Sequence, residues 1–172
     1  LLSGEKHILV ADCTLIKPAW VQGIRVFAWA PDSQSIYFIQ NKAASNILKQ
    51  VDLASGEITT IDLAPYTTFG QISISRYGEI ALIATSPSIP PRLINWKDGR
   101  ITIIARSQAE SLAADGLPLP QPIEWTSSKG TPVFGIYYPP TSSHHTAEGL
   151  PPVVVYIHGG PTYHSEDRIN TQ

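Results

Sequence analysis

Residues 1–106 form a succession of short apolar segments separated by turn residues, with almost no helical periodicity. Apolar side chains in these segments alternate with polar ones or form brief runs, as in β-strands that are buried on one or both faces. The pattern predicts strands at Arg25–Ala30, Ser35–Gln40, Ile47–Leu53, Ile58–Leu63, Gln71–Ser75, Ile80–Thr85, Arg92–Trp96 and Ile101–Ala105. We therefore expect a mostly β structure.

The turns between these segments recur at a nearly constant distance. Pro31 and Arg76 open equivalent turns 45 positions apart, and Gly56 and Gly99 lie 43 positions apart. Four strands in a period of about 40–50 residues are typical of a β-propeller blade. Residues 1–106 are thus predicted to be a partial propeller, about two blades preceded by the tail of another. A plain β-sandwich or meander is the alternative interpretation.

A short helix and a proline-rich linker are predicted over residues 107–122. Ser107 and Glu110 have the spacing of a capping box, and a glycine and a proline that end a helix follow within a few residues. Three prolines then stiffen the segment as far as residue 122. This composition indicates a domain boundary between the partial propeller and residues 123–172.

Residues 123–172 open with a predicted β-hairpin, in which Glu124–Ser127 and Val133–Tyr138 flank a Ser-Lys-Gly turn. Further along, Val153–Ile157 is a run of five apolar residues, mostly β-branched or aromatic. Such a run indicates a strand that is buried on both faces of a parallel sheet covered by helices. The turn after it would lie at the carboxyl edge of that sheet, where α/β proteins bind ligands.

Three stretches together resemble the start of the peptidase domain of the prolyl oligopeptidase family. They are Ile123–Gly130, Val133–Pro140 and the His-Gly-Gly-Pro sequence at 158–161. The acylaminoacyl-peptidase and dipeptidyl-aminopeptidase branch is the most similar, and the upstream repeats fit that family's propeller more loosely. His-Gly-Gly alone occurs in many esterases and lipases, so the combination carries the resemblance. It implies a fragment with terminal β-propeller blades followed by the first strands of an α/β-hydrolase fold.

The resemblance also implies a serine-type peptidase that hydrolyses short peptides by acyl transfer through a Ser–His–Asp triad. In α/β-hydrolases, one N–H that stabilises the oxyanion comes from the loop after this strand. The family pattern implies Gly160 as that donor, with Gly159 as the neighbour that lets the loop fold. His158 is expected to anchor the loop and not to be the triad histidine, and a side-chain contribution to the oxyanion hole stays open.

The catalytic triad itself has no candidates in the sequence. No G-x-S-x-G nucleophile elbow occurs in the 172 residues, and His164 and Asp167 precede any position at which an elbow could follow. The fragment alone is therefore predicted to be inactive. A carboxylesterase or lipase-like α/β-hydrolase and a non-catalytic β-propeller binding module remain as alternatives. The peptidase interpretation requires that 153–157 be enclosed and that its glycines face a cleft.

Composition mainly excludes other functions. The net charge is −2 with no basic run, which argues against nucleic-acid or membrane partners and leaves a short peptide as the implied one. Cys13 is the only cysteine, so no internal disulfide can form and a cytoplasmic location is expected. The adjacent His144 and His145 lack further ligands at metal-binding spacing, and no cofactor or metal is predicted. The sequence leaves open whether the full-length protein is a homo-oligomer.

Overall fold

The computed structural model of the chain describes residues 7–11, 15, 21–108, 116–142, 148–160 and 164–169. Most of the predicted helix, most of residues 1–20, and Cys13, His144, His145 and Pro161 lie outside the described residues. Ten β-strands occupy the described part, and no α-helix is present there. No helix long and apolar enough to cross a membrane occurs in the described residues.

The strands form three antiparallel sheets, two of four strands and one of two. In the first sheet they are β1 (Phe27–Trp29), β2 (Ser35–Lys42), β3 (Ser45–Asp52) and β4 (Ile58–Ile61). The second sheet contains β5 (Thr68–Ile74), β6 (Ile80–Ser86), β7 (Ile89–Lys97) and β8 (Arg100–Arg106). The separate hairpin consists of β9 (Gln121–Thr126) and β10 (Pro132–Tyr137).

The two four-stranded sheets have the organisation of propeller blades. In each sheet the strands pair in sequence order, so every strand neighbours the one before it in the chain. The first strands of the two sheets lie side by side, and the amide of Ile72 in β5 donates to the carbonyl of Arg25 just before β1 at 3.2 Å. The predicted mostly β fold with terminal propeller blades is confirmed for these residues, and all eight predicted strands occur within three residues of their predicted ends.

The core lies between the two blades, because each contributes one apolar face to it. Leu48 of the first blade and Ile80, Leu82 and Ile94 of the second are all fully shielded from solvent. The register places Leu82 opposite Ile94, so both side chains leave the second sheet on the face towards the first blade. Burial of this kind contributes about 1.5–3 kcal/mol for each aliphatic side chain, and it holds the blades together.

The turns follow the local chemistry that the sequence predicts. Asp98 and Gly99 connect β7 to β8 with φ angles of 47° and 79°, as a tight turn between twisted antiparallel strands requires. Between β3 and β4, the carboxylate of Asp52 accepts from the amide of Ser55 at 2.8 Å and from its hydroxyl at 2.8 Å. These hydrogen bonds from Ser55, the backbone one first, lower the pKa of Asp52 below its ordinary value.

The hairpin of β9 and β10 confirms the strands that were predicted at 124–127 and 133–138. It pairs over six positions, from Gln121 with Tyr137 to Thr126 with Pro132. Because β9 begins at Gln121, the extended linker is shorter than predicted and the strand includes its last proline. All six residues of β9 are exposed, so the described residues leave this hairpin outside the core of the blades.

We expect Leu82→Ala to destabilise the chain far more than Ile83→Ala. Leu82 is completely buried between the blades, whereas the next residue, Ile83, is 47% exposed on the outer face of the same strand. A cavity in the core costs about 2–5 kcal/mol, and truncation at the surface costs about 0.5 kcal/mol. Urea unfolding followed by tryptophan fluorescence measures both values, and equal losses would contradict face-to-face packing of the blades.

Candidate functional site

The turn at Gly159 and Gly160 has a backbone that suits glycine. Gly160 has a φ of 74°, a left-handed conformation that residues with a Cβ adopt only with strain. A Cβ added at Gly159 or Gly160 would meet no described atom within 4 Å apart from its chain neighbours. Both glycines are exposed, and the described residues build no cleft around their added Cβ positions.

The apolar run before this turn is not a buried strand, contrary to the prediction. The side chains from Val153 to Ile157 are between 75% and 92% exposed, and the segment pairs with no strand among the described residues. A strand that is apolar on both faces needs partner strands on each side and cover above and below. The described strands all belong to antiparallel sheets that offer neither, so Gly159 and Gly160 do not lie at the carboxyl edge of a sheet.

His158 lies beside this exposed turn. Its Nδ1 is 3.4 Å from the carbonyl oxygen of Gly159, a contact in which the ring donates when that nitrogen carries a proton. The side chain of His158 is exposed. The roles predicted for His158, Gly159 and Gly160 in an oxyanion hole stay predictions, because the surrounding site is not formed in the described residues.

The segment at 164–169, in contrast, is bound to the blades through Asp167. Only 9% of Asp167 is exposed. Its carboxylate accepts from the hydroxyl of Ser45 at 2.6 Å and from the hydroxyl of Thr68 at 3.1 Å. Ser45 begins β3 of the first blade and Thr68 begins β5 of the second, so one carboxylate bridges both blades.

Backbone hydrogen bonds hold the same segment at the same place. The amide of Asp167 donates to the carbonyl of Ala44 at 3.1 Å, and the amide of Ile169 donates to the carbonyl of Ser86 at 3.1 Å. The hydroxyl of Thr67 donates to the carbonyl of Asp167 at 3.3 Å. Burial and, second, the negative charge of Asp167 raise the pKa of Tyr138 above its ordinary value.

Sequence reasoning did not find this attachment. In the sequence, Asp167 is notable only as an acidic residue that precedes any nucleophile elbow and so has no place in the triad. Its partners Ser45 and Thr68 are 122 and 99 residues away in the chain. Hydroxyl and carboxylate side chains are common in loops and show no periodicity, so no local pattern marks the pair.

A second surface feature lies at the other end of the second blade. A shallow groove there is lined by residues of both charges and by two neutral polar ones: Glu79, Asn95, Lys97, Asp98, Arg100 and Thr102. Among the described residues, no group of three or more potential metal ligands comes together. All residues that line the groove belong to the second blade, and none of them is a predicted residue of the peptidase site.

The chain is similar to known proteins that include peptidases. Dipeptidyl-peptidase 5 of Porphyromonas gingivalis is 24% identical over 173 residues, covering 92% of this chain. The structure of a puromycin-hydrolyzing peptidase of Mycobacterium tuberculosis superposes with a TM-score of 0.81 at 24% identity over 93% of the chain. A puromycin hydrolase structure gives a TM-score of 0.76 at 28% identity over 88% of the chain. No model of a known protein family matches the chain.

The aligned region is a small part of each of these proteins. The chain spans 24% of the dipeptidyl-peptidase and 25% and 23% of the two solved structures, about a quarter of each. These relatives and neighbours are peptidases of the prolyl oligopeptidase family, the family that residues 123–164 resemble. The antiparallel sheets match the β-propeller portion of such peptidases.

We expect the amides of residues 153–157 to exchange hydrogen at nearly the rate of an unfolded peptide. They have no strand partner among the described residues, and their side chains are exposed, so nothing there slows exchange. The amides of β6, which lies between β5 and β7, serve as the protected control. Hydrogen exchange measured by NMR tests this, and strong protection at 153–157 would show that the segment is covered.

Proposed function

We propose that this chain is part of a serine peptidase of the prolyl oligopeptidase family. It would supply the propeller blades of residues 1–106, the linker of 107–122 and, in 123–172, the first part of the α/β-hydrolase domain. The single observation that supports this most is the similarity to such peptidases, which runs through both blades, the hairpin and beyond, over 92% of the chain in one relative and 93% in another.

The diglycine turn would contribute to catalysis through its backbone. Hydrolysis of a peptide bond places negative charge on the carbonyl oxygen of the tetrahedral intermediate, and N–H groups fixed around that oxygen stabilise it. The N–H of Gly160 is our candidate donor, and the positive φ of Gly160 supports the need for glycine there. Gly159 allows a close approach of the substrate, and His158 holds the turn.

The nucleophile and the triad would come from other parts of a longer protein. The chain corresponds to about a quarter of its relatives and contains no G-x-S-x-G sequence. The described residues do not meet the condition that 153–157 be enclosed and its glycines face a cleft. The proposed function therefore requires that the same additional residues supply the strands on each side of Val153–Ile157. The substrate class is short peptides, since a propeller over the active site restricts access. No cofactor is proposed, and a cytoplasmic location stays a prediction.

A non-catalytic β-propeller binding module is the second candidate. One observation favours it: the blades are folded and packed in the described residues, whereas the glycines at 159–160 stand in open solvent. A carboxylesterase or lipase-like hydrolase, the remaining alternative, shares the His-Gly-Gly sequence but lacks an upstream propeller. The peptidase and the binding module differ in one chemical property: only the peptidase has an activated serine in the complete protein.

A fluorophosphonate probe distinguishes these candidates. The 172-residue chain should remain unlabelled, because it has no nucleophile elbow. The complete protein should be labelled at one serine within a G-x-S-x-G sequence, and it should release product from short peptide substrates. Absence of labelling in the folded complete protein would favour the binding module, and hydrolysis of esters without amides would favour the esterase.

In the complete enzyme, we expect Gly160→Ala to lower kcat by about 100-fold with little change in KM. A Cβ at a φ of 74° strains the backbone, which rotates the N–H away from the oxyanion, and loss of one such donor costs about 10²–10³ in rate. Gly149→Ala is the matched control, because Gly149 has a φ of 87° in the preceding loop. Steady-state kinetics on a dipeptide anilide measures both, and equal effects would contradict the role of Gly160.

A further inference from the structure

Asp167 is an acidic residue that is almost fully buried where its segment contacts the blades. Removing a carboxylate from water is costly unless hydrogen bonds replace its hydration. Ser45 and Thr68 donate to its two oxygens separately, at 2.6 Å to Oδ2 and 3.1 Å to Oδ1. Hydrogen bonds to an ionised acceptor are among the stronger ones in proteins, so this contact favours one position of the segment.

The partners of this segment all lie at one end of the two blades. Ala44 precedes Ser45, the first residue of β3, at the connection from β2. Thr67 precedes Thr68, the first residue of β5, at the connection from β4, and Ser86 ends β6 at the connection to β7. Because successive strands run in opposite directions, these three connections are at the same end, which we call the anchor end. The Asp52–Ser55 turn, from β3 to β4, is at the opposite end.

We propose that Asp167 anchors the segment that follows the diglycine turn to the anchor end of the blades, and thereby fixes the end of the propeller at which the catalytic centre opens. The position of the catalytic centre rests on the proposed function, whereas the anchoring does not.

The length of chain between the turn and the anchor limits where the turn can lie. Gly160 is seven positions before Asp167, and a fully extended chain spans at most about 3.3–3.6 Å for each residue. The Cα of Gly160 therefore lies no further than about 25 Å from the Cα of Asp167. An eight-residue strand such as β3 is about 26 Å long, which is about the length of a blade from one end to the other. The turn at Gly159 and Gly160 could therefore reach the opposite end only if the chain from Asp167 ran fully extended along the blade.

Hydrogen exchange in the 172-residue chain tests the anchoring. Asp167→Ala should speed exchange of the Ile169 amide, which donates to Ser86, by about tenfold or more, because hydrogen bonds to a charged group hold the segment. The amide of Leu82, in the blade core, should change less than about twofold. Asp52→Ala is the matched control, since it removes a hydrogen-bonded carboxylate at the opposite end and should leave Ile169 unchanged.

Variants of the donors keep the test decisive even if Asp167→Ala unfolds the chain. Ser45→Ala and Thr68→Val each remove one hydroxyl but leave the carboxylate in place, and each should speed exchange of the Ile169 amide about threefold or more. On an Asp167→Ala background that folds, neither should have a further effect. If Ile169 exchange changes less than about twofold in all the single variants, the anchoring is overturned.

Kinetics of the complete enzyme test the positioning. Asp167→Ala should lower kcat about tenfold with KM within about threefold, because a displaced oxyanion loop weakens transition-state stabilisation more than substrate binding. Asp167→Asn, which retains one acceptor oxygen, should lie in between, and Asp52→Ala should match the unmodified enzyme. An unchanged kcat alongside faster Ile169 exchange would overturn the positioning and keep the anchor. A complete protein without any hydrolase activity would overturn the proposed function instead.

Discussion

The packing of one four-stranded sheet against the next is the interaction on which the rest of the structure depends. Leu48 from the first blade and Leu82 from the second are fully buried in the core that joins them. This contact sets the distance between β3 and β5, and so between Ser45 and Thr68 at the starts of those strands. A single carboxylate can accept from both hydroxyls only because the blades are held at that distance.

The sequence predicts the blades well because their information is local. Each strand pairs with the next one in the chain, so alternating side chains and a turn between them specify both faces of the pair. Asp98 and Gly99 show the same principle in a turn, since both residues tolerate the positive φ that the hairpin requires. The hairpin of β9 and β10 is predicted for the same reason, although it lies outside the core.

Val153–Ile157 shows what such reasoning cannot supply. An apolar run specifies the environment that a strand requires, but it does not show that the surrounding chain provides that environment. The segment is exposed here, and so are Ile83 and Leu93, which face each other on the outer side of the second blade. The segment and this pair both consist of apolar residues, which are typical of a protein interior. In relatives about four times as long, the remaining residues are available to cover them.

Asp167 represents the opposite case, a contact that the structure forms and the sequence does not reveal. Its partners are about a hundred residues away, and a serine or threonine at the start of a strand has no signature of its own.

The attachment of Asp167 also affects the exposed segment at 153–157. Asp167 holds the chain against the blades seven positions after Gly160, which limits the positions available to the unpaired apolar run at 153–157. An exposed strand edge invites pairing with other chains, and a tether that keeps it close to the blades lowers the entropy lost when its own partners arrive. Under the proposed function, the anchor would thus favour assembly of the remaining hydrolase domain on these blades over association with another chain.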